Sequence, residues 1–228
     1  MSAGDGDGSR RSGRDPYVIP GTDVLENKLG IRDASELERV ERLLTADRLV
    51  ELARESAGGP LDLAHLQRIH RAIFQDVYEW AGDLREINIS KGAIRFAMAS
   101  QLESSASEIF GRLARDNHLQ GLSPGDFARS AAEYLAEVNA LHPFREGNGR
   151  AQRELFRQIA VRTGLRLDWS RTNSKEMVQA SIAGMVGDVK PLRRILSRVT
   201  LIAETRDVDM RIRARDDEQR RTPKPRDR

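Results

Sequence analysis

The sequence predicts a mainly α fold: one domain, a helical bundle of about seven to eight helices with one small β-hairpin. Three observations carry that prediction. Helix-start signals at Ser35–Glu38, Asp62, Ser100–Glu103 and Ser123–Pro124 each precede apolar residues spaced three and four apart. Only between Leu84 and Phe96 does the apolar spacing shorten to two, the strand period. The chain has 228 residues, 39% of them hydrophobic, which suffices for one sizeable core.

Each element follows in order. The capping box Ser35–Glu38 opens a helix whose face carries Leu37, Val40, Leu44, Leu49 and Leu52 and runs to about Ala57, where Gly58, Gly59 and Pro60 stop it. A second helix starts near Asp62 with Leu66, Ile69 and Ile73 on one face. From Leu84 to Phe96, Ile87 and Ile89 alternate with polar neighbours and the Lys91–Gly92 pair interrupts, which reads as a short hairpin. A second capping box, Ser100–Glu103, opens a helix through Ile109, Phe110 and Leu113. Ser123 as N-cap and Pro124 at the first helical position begin the next, striped by Phe127, Ala131, Tyr134, Leu135 and Val138. Pro143 disfavours helical geometry at His142, so this helix ends near Leu141. Later helices are expected over 150–163, 174–185 and from Pro191 to about Glu204.

Both ends differ from this body. Residues 1–15 are Gly, Ser, Asp and Arg without apolar periodicity, and 206–228 are mixed charge, so both are expected to be mobile tails around a domain spanning 16–205. Between Arg206 and Arg228 stand nine Lys/Arg and six Asp/Glu, which accounts for the whole net charge of +3. The body is therefore neutral. A nucleic-acid-binding module working through the tail is disfavoured, because acids interrupt the basic residues and aromatics make up only 5% of the chain. No stretch reaches the roughly 18 apolar residues of a membrane span, so no membrane association and a cytoplasmic location are expected. Cysteine is absent, which excludes disulfides, thiol nucleophiles and thiolate-held metals. His65, His70 and His118 lack a companion set of ligands for zinc, and Trp80 and Trp169 read as packing residues.

The segment from His142 to Arg153 calls for chemistry. Gly147 and Gly149 flank Asn148 and let successive backbone N–H groups turn inward, just ahead of a helix whose first N–H groups have no internal acceptor. The result is an anion cradle suited to phosphate. Arg150 and Arg153, three apart, present forked donors on nearly one face. Glu146 beside phosphates implies a bridging Mg²⁺, which is commonly held by one carboxylate, phosphate oxygens and water. His142 has the one side chain here that titrates near neutrality, the natural general base.

These residues match HxFx(D/E)GNGRxxR at every specified position: His142, Phe144, Glu146, Gly147, Asn148, Gly149, Arg150 and Arg153. On that motif the chain resembles the Fic family, and the likeness extends from about Asp15 to Glu204 through Arg14–Tyr17, Asn27–Ile31 and Asp76–Gly82. It looks most like the short toxins of bacterial Fic toxin–antitoxin pairs. The resemblance implies the Fic fold, with its hairpin as a flap over the active site, and an adenylyltransferase moving AMP from ATP to a Tyr, Thr or Ser hydroxyl of a target protein with release of pyrophosphate.

It also implies roles. His142 would deprotonate the attacking hydroxyl, and Glu146 would hold Mg²⁺ between the α- and β-phosphates. Gly147 and Gly149 through their backbone, with Asn148 through its side chain, would form the anion hole. Arg150 would meet the β-phosphate and Arg153 the γ-phosphate, while Phe144 would anchor the loop in the core. Ser90, Lys91, Gly92, Ala93, Ile94 and Arg95, continuing to Phe96 and Ala97, correspond to the flap that holds the target by strand addition.

Many relatives carry an inhibitory [S/T]xxxE[G/N] helix. Ser104–Glu108, Thr172–Glu176 and Thr200–Glu204 satisfy its first part but are followed by Ile109, Met177 and Thr205. Inhibition in trans is therefore expected, from a small antitoxin whose glutamate engages Arg153. The resemblance suggests a DNA gyrase or topoisomerase IV subunit as target. The alternatives on the same fold are other nucleotidyl transfer and Doc-like protein kinase chemistry, the latter argued against by the intact Gly149 because such loops commonly carry lysine there.

Overall fold

The computed structural model describes residues 15–54, 58–91 and 94–203. Seven α-helices are present among them: α1 (Ala34–Arg54), α2 (Leu63–Phe74), α3 (Leu102–Arg115), α4 (Pro124–Leu141), α5 (Asn148–Arg162), α6 (Ser174–Met185) and α7 (Lys190–Val199). Two strand pairs accompany them. β1 (Ser90–Lys91) and β2 (Ile94–Arg95) are antiparallel, as are β3 (Leu165–Leu167) and β4 (Thr200–Ile202).

The centre of the molecule is the α4–α5 pair. Ten residues of α4 and nine of α5 are buried, including Phe127, Leu135, Val138, Leu155, Phe156 and Ile159. Each fully buried large apolar side chain contributes about 1.5–3 kcal/mol, so this pair is a rigid base for the loop that joins it. α2 and α1 pack on the α5 side, and α3, α6 and α7 surround α4. Residues 142–147 are thereby held between two helices that cannot easily separate.

Several boundaries follow the expected chemistry. Asp62 caps α2 by accepting the His65 N–H at 2.8 Å, and Ser123 caps α4 by accepting the Asp126 N–H at 3.2 Å. Other details require correction. At α1 the cap is Asp33, not Ser35: the Asp33 carboxylate accepts the Glu36 N–H at 2.8 Å, and the Ser35 hydroxyl donates to the same oxygen at 2.6 Å. A carboxylate at the helix start also gains from the dipole, so it displaces the hydroxyl. Ser100 does not cap α3 either, because Ala99–Gln101 form a 3₁₀ turn that leads into the helix and Asn88 Oδ1 accepts the Ala99 N–H at 2.8 Å.

The last helix is shorter than its apolar spacing suggests. α7 ends at Val199, and Thr200–Ile202 pair with Leu165–Leu167, so a second small sheet exists where the sequence pointed to helix as far as Glu204. Val199, Thr200 and Ile202 are β-branched and favour the strand once a partner is beside them. Thr200 also turns its hydroxyl back onto the Leu196 carbonyl at 2.6 Å. The first hairpin is likewise reduced to two residues per strand: Ile87 lies in a bend ahead of β1, and Ile89 is joined to the far side only by its carbonyl, which accepts the Phe96 N–H at 3.4 Å. The expected tails, 1–15 and 206–228, lie outside the described residues apart from Asp15, which pairs with Arg145 at 2.8 Å.

Candidate active site

Pro143 excludes right-handed helical geometry at His142, and the backbone there turns left-handed (φ 46°, ψ 62°) as the C-cap of α4. A non-glycine residue in this region is strained, so something must hold it. The His142 N–H still bonds the Val138 carbonyl at 3.2 Å, and its ring Nδ1 lies 3.1 Å from the Asn139 carbonyl. A carbonyl only accepts, so Nδ1 carries the proton and Nε2 keeps its lone pair. Phe96 stacks on the ring with centroids 3.8 Å apart. Burial pushes the imidazole pKa down to about 4, so His142 is neutral at pH 7 and able to accept a proton.

The loop beyond it is braced from behind. Phe144 is fully buried and stacks on His70 at 3.9 Å. Asn148 closes the loop on itself, accepting the Phe144 N–H at 2.9 Å and donating to the Phe144 carbonyl at 2.8 Å. Gly147 adopts φ +79°, and a Cβ there would stand 2.2 Å from the Phe74 ring, so both backbone and space demand glycine. His70 donates from Nε2 to the Glu146 carbonyl at 2.9 Å and accepts the Gly82 N–H on Nδ1 at 2.8 Å. It is buried between Phe74 and Phe144, and desolvation lowers its pKa to about 4, so it is neutral and both nitrogens are committed.

A cavity of about 360 Å³ opens in front of this loop. His142, Glu146, Asn148, Gly149 and Arg153 line one side, and Ser90, Lys91 and Ile94 of the hairpin lie over it. Met177, Val178 and Ile182 of α6 form an apolar wall. Asn148 and Gly149 are the first residues of α5, so their N–H groups lack intrahelical acceptors. Glu146 is half exposed; one carboxylate oxygen accepts the Gly147 N–H at 2.9 Å, and the group remains available on the cavity side.

The two motif arginines part company. Arg150 does not line the cavity: its guanidinium pairs with Glu41 at 2.5 Å, donates to the Thr45 hydroxyl at 3.1 Å, and lies 4.6 Å over the Phe74 ring. Glu41, which also accepts the Tyr78 hydroxyl, draws Arg150 to α1 and away from the phosphate position that the resemblance implies. Asn148 departs in the same way, because its side chain is spent on Phe144 and leaves the backbone N–H groups as the anion donors. Arg153 is mostly buried on the cavity side, its pKa lowered by desolvation and by Arg150, and among the described residues no carboxylate pairs with it. Glu176 is engaged elsewhere, by Arg198 at 2.6 Å and Thr172 at 2.9 Å.

The hairpin residues divide too. Ser90, Lys91 and Ile94 face the cavity, Arg95 is exposed and does not line it, and Gly92 and Ala93 lie outside the described residues. Sequence reasoning missed Arg85, read His70 only as a histidine without zinc partners, and named Phe96 only as part of the flap. His70 carried a usable signal, a histidine on the apolar face of α2 beside Ile69 and Ile73. Arg85 carried none, because an arginine near a hairpin ordinarily faces solvent.

Helices packed around a glycine-rich loop, a neutral histidine at its start, an anion-ready helix end and a hairpin opposite define a phosphate-handling transferase site. The profile of the Fic/DOC family matches residues 60–160, and the chain belongs to that family. It is 44% identical over 197 residues to "Protein adenylyltransferase VbhT" of Bartonella schoenbuchensis, covering 86% of this chain and 41% of that protein. It is 38% identical over 189 residues to the protein of Escherichia coli K12 named "Probable protein adenylyltransferase Fic", covering 82% of this chain and 92% of the other. Among solved structures, BepC of Bartonella tribocorum with bound AMPPNP superposes with a TM-score of 0.77 at 27% identity, over 82% of this chain and 97% of that one. No helix among the described residues is long and apolar enough to cross a membrane.

Proposed function

We propose that this chain is a protein adenylyltransferase that transfers AMP from ATP to a Tyr, Thr or Ser hydroxyl of a target protein. The observation that carries the reading is His142: a neutral imidazole at the cavity with its proton fixed on Nδ1, directly before an anion-binding helix end. Nε2 takes the hydroxyl proton as the oxygen attacks the α-phosphorus; the bond to the β-phosphate bridging oxygen breaks, and pyrophosphate leaves. General-base help of this kind is worth roughly 10²–10⁴-fold. The N–H groups of Asn148 and Gly149 bind phosphate oxygens, and Arg153 supplies a cation for the terminal phosphate.

The residues present fit Mg²⁺. Glu146 offers a half-exposed carboxylate at the cavity; one oxygen accepts the Gly147 N–H at 2.9 Å and lies 3.9 Å from the Arg150 guanidinium, and the single-carboxylate arrangement leaves room for phosphate oxygens. When bound, the ion neutralises phosphate charge. The hairpin edge over His142 supports strand addition by the target, and its charged, short strands suit transient pairing. That no carboxylate among the described residues pairs with Arg153 supports inhibition in trans by a small antitoxin glutamate; the family resemblance suggests a topoisomerase subunit as target, and the neutral body gives no support to direct nucleic-acid binding.

The test uses ATP labelled on the α- or the γ-phosphate with a bacterial lysate. A band labelled only from the α-position and lost in His142→Ala is expected; labelling from γ alone refutes the reading in favour of kinase chemistry.

A further inference from the structure

Arg85 is among the most buried large side chains, 2% exposed, yet among the described residues no carboxylate pairs with it. A buried cation without a counter-ion is costly, and burial accordingly lowers its pKa. Packing alone does not call for it, since an apolar side chain of similar length would fill the space without that cost.

What Arg85 has instead is four backbone carbonyls. Its Nε donates to His142 at 2.8 Å, and its Nη2 donates to Leu141 at 3.3 Å and to Ala97. Nη1 donates to Ile87 at 2.7 Å, and the Arg85 backbone N–H bonds the Pro143 carbonyl at 2.9 Å. The acceptors fall into two groups. Ile87 and Ala97 are the feet of the flap, where the chain enters and leaves the β1–β2 hairpin. Leu141, His142 and Pro143 are the end of α4 and the strained peptide that carries the proposed base.

One planar group thus bridges both. Ala97 adds a direct bond from its N–H to the Ala140 carbonyl at 3.0 Å, and Phe96 between them stacks on the His142 ring. A guanidinium has five donors fixed in one plane, so it sets the directions as well as the distances of the carbonyls it joins. Lysine, a point charge on a flexible stem, cannot do this.

We propose that Arg85 is a positioning residue that locks the two feet of the flap to the His142 peptide, so that a strand seated on the flap is held in register with Nε2 of His142. The use of the flap by a target strand rests on the function proposed above. The lock itself does not, and it is read without any activity.

The test compares the full chain with Arg85→Lys and Arg85→Met by amide hydrogen exchange and by ¹⁵N spectra of the imidazoles. In both variants, exchange at Phe96 and Ala97 is expected to rise about tenfold or more relative to the amides of Leu155, Phe156 and Ile159 in α5. The His142 nitrogens are expected to move from a single Nδ1–H tautomer toward an average of both. Unchanged exchange at the flap, or an equal rise in α5, overturns the proposal, the latter by making Arg85 an ordinary core brace. A second measurement needs no variant and stands if neither substitution folds. In the unaltered chain the Arg85 Nε proton and the Phe96 and Ala97 amides are expected to open as one unit, with a common dependence on denaturant. Separate opening energies for the guanidinium and the flap overturn the lock. If the lock holds and no AMP is transferred, the functional reading alone has failed.

Discussion

The loop 142–150 and the hairpin 90–95 face each other across one cavity, and they are built in opposite ways. Behind the loop nearly every polar group has a partner: Asn148 on Phe144, His70 on Glu146, Arg150 on Glu41, with the Phe74 ring filling the space beneath Gly147. The hairpin has two residues per strand, mostly exposed, and depends for its placement on its feet. Chemistry that must place a proton acceptor within tenths of an ångström belongs on the first kind of structure. Recognition of varied protein chains through backbone bonds suits the second. If the two regions differ in this way, substitutions in the loop should damage chemistry or stability heavily, and those in the hairpin lightly.

The largest effect is expected from His142→Ala. Transfer from α-labelled ATP should fall about a thousandfold while the thermal transition stays within a few degrees, because the backbone bond to Val138 survives the substitution. A residual rate near that of the unaltered chain would remove His142 from the chemistry.

Gly147→Ala comes next and reads the stiffness of the loop. The added methyl meets the Phe74 ring at 2.2 Å with φ at +79°, and neither the stacked ring nor the helix start can move aside cheaply. A loss of about 3 kcal/mol in denaturant unfolding is expected. A loss below 1 kcal/mol would show the loop to be as adaptable as the hairpin.

The pH dependence tests the same bracing. His70 and His142 are neutral when folded, with pKa lowered to about 4 by burial, and titrate near 6.5 when unfolded. Between those values the unfolded chain binds more protons, so stability is complete above pH 6.5 and declines as pH falls toward 4, by on the order of 3 kcal/mol for each imidazole. Carboxylates nearer the surface whose pKa is lowered, such as the half-buried Asp76 beside Arg48, lose their contribution only below about 3.8, a separate window. For the same reason the acid limb of the transfer rate is expected near pH 4 and not near 6.5. A midpoint at 6.5 would mean that His142 is solvated.

Much of this was readable in the sequence where a local rule acts alone. A helix began near Asp62, Ser123 capped the helix it was expected to cap, Pro143 ended α4, and the glycine turn at Gly147 and Gly149 ahead of a helix followed from composition, whereas the burial of Phe144 was implied by the family resemblance. Most of what failed depended on partners distant in sequence, and the α1 cap on a local competition. Val199 to Ile202 became a strand because Leu165–Leu167 lay beside them. Asp33 took the cap that Ser35 was expected to fill, since charge outbids a hydroxyl at a helix start. Glu41, 109 residues before Arg150, decided which arginine faced the cavity, and no spacing rule encodes that. Arg85 was invisible for a similar reason, its four acceptors being backbone groups that carry no sequence signature.

The contrast between the two arginines gives the next prediction. Arg150→Ala leaves the buried Glu41 carboxylate without its cation and should cost about 2 kcal/mol of stability. Arg153→Ala removes a desolvated charge that has no carboxylate partner among the described residues and relieves its repulsion with Arg150, so stability should hold or rise slightly while KM for ATP increases about tenfold. Equal stability losses in the two variants would mean that Arg153 also has a structural partner.

The smallest effect is expected at the hairpin, from Lys91→Ala. The side chain is exposed, has no ion pair among the described residues, and buries little, so unfolding free energy should change by less than about 0.5 kcal/mol. Its charge does reach His142, helping to hold that imidazole below its ordinary range after the larger contribution of burial. Removing it should let the His142 titration midpoint rise by a fraction of a unit, observable by NMR in a protein whose melting temperature is unchanged. The difference in cause decides what the result means: a rise without destabilisation shows a hairpin that touches the site through its field and its feet. A loss comparable to that of Gly147→Ala would instead make the hairpin part of the rigid scaffold, and target docking would then have to occur on a preformed edge rather than an adaptable one.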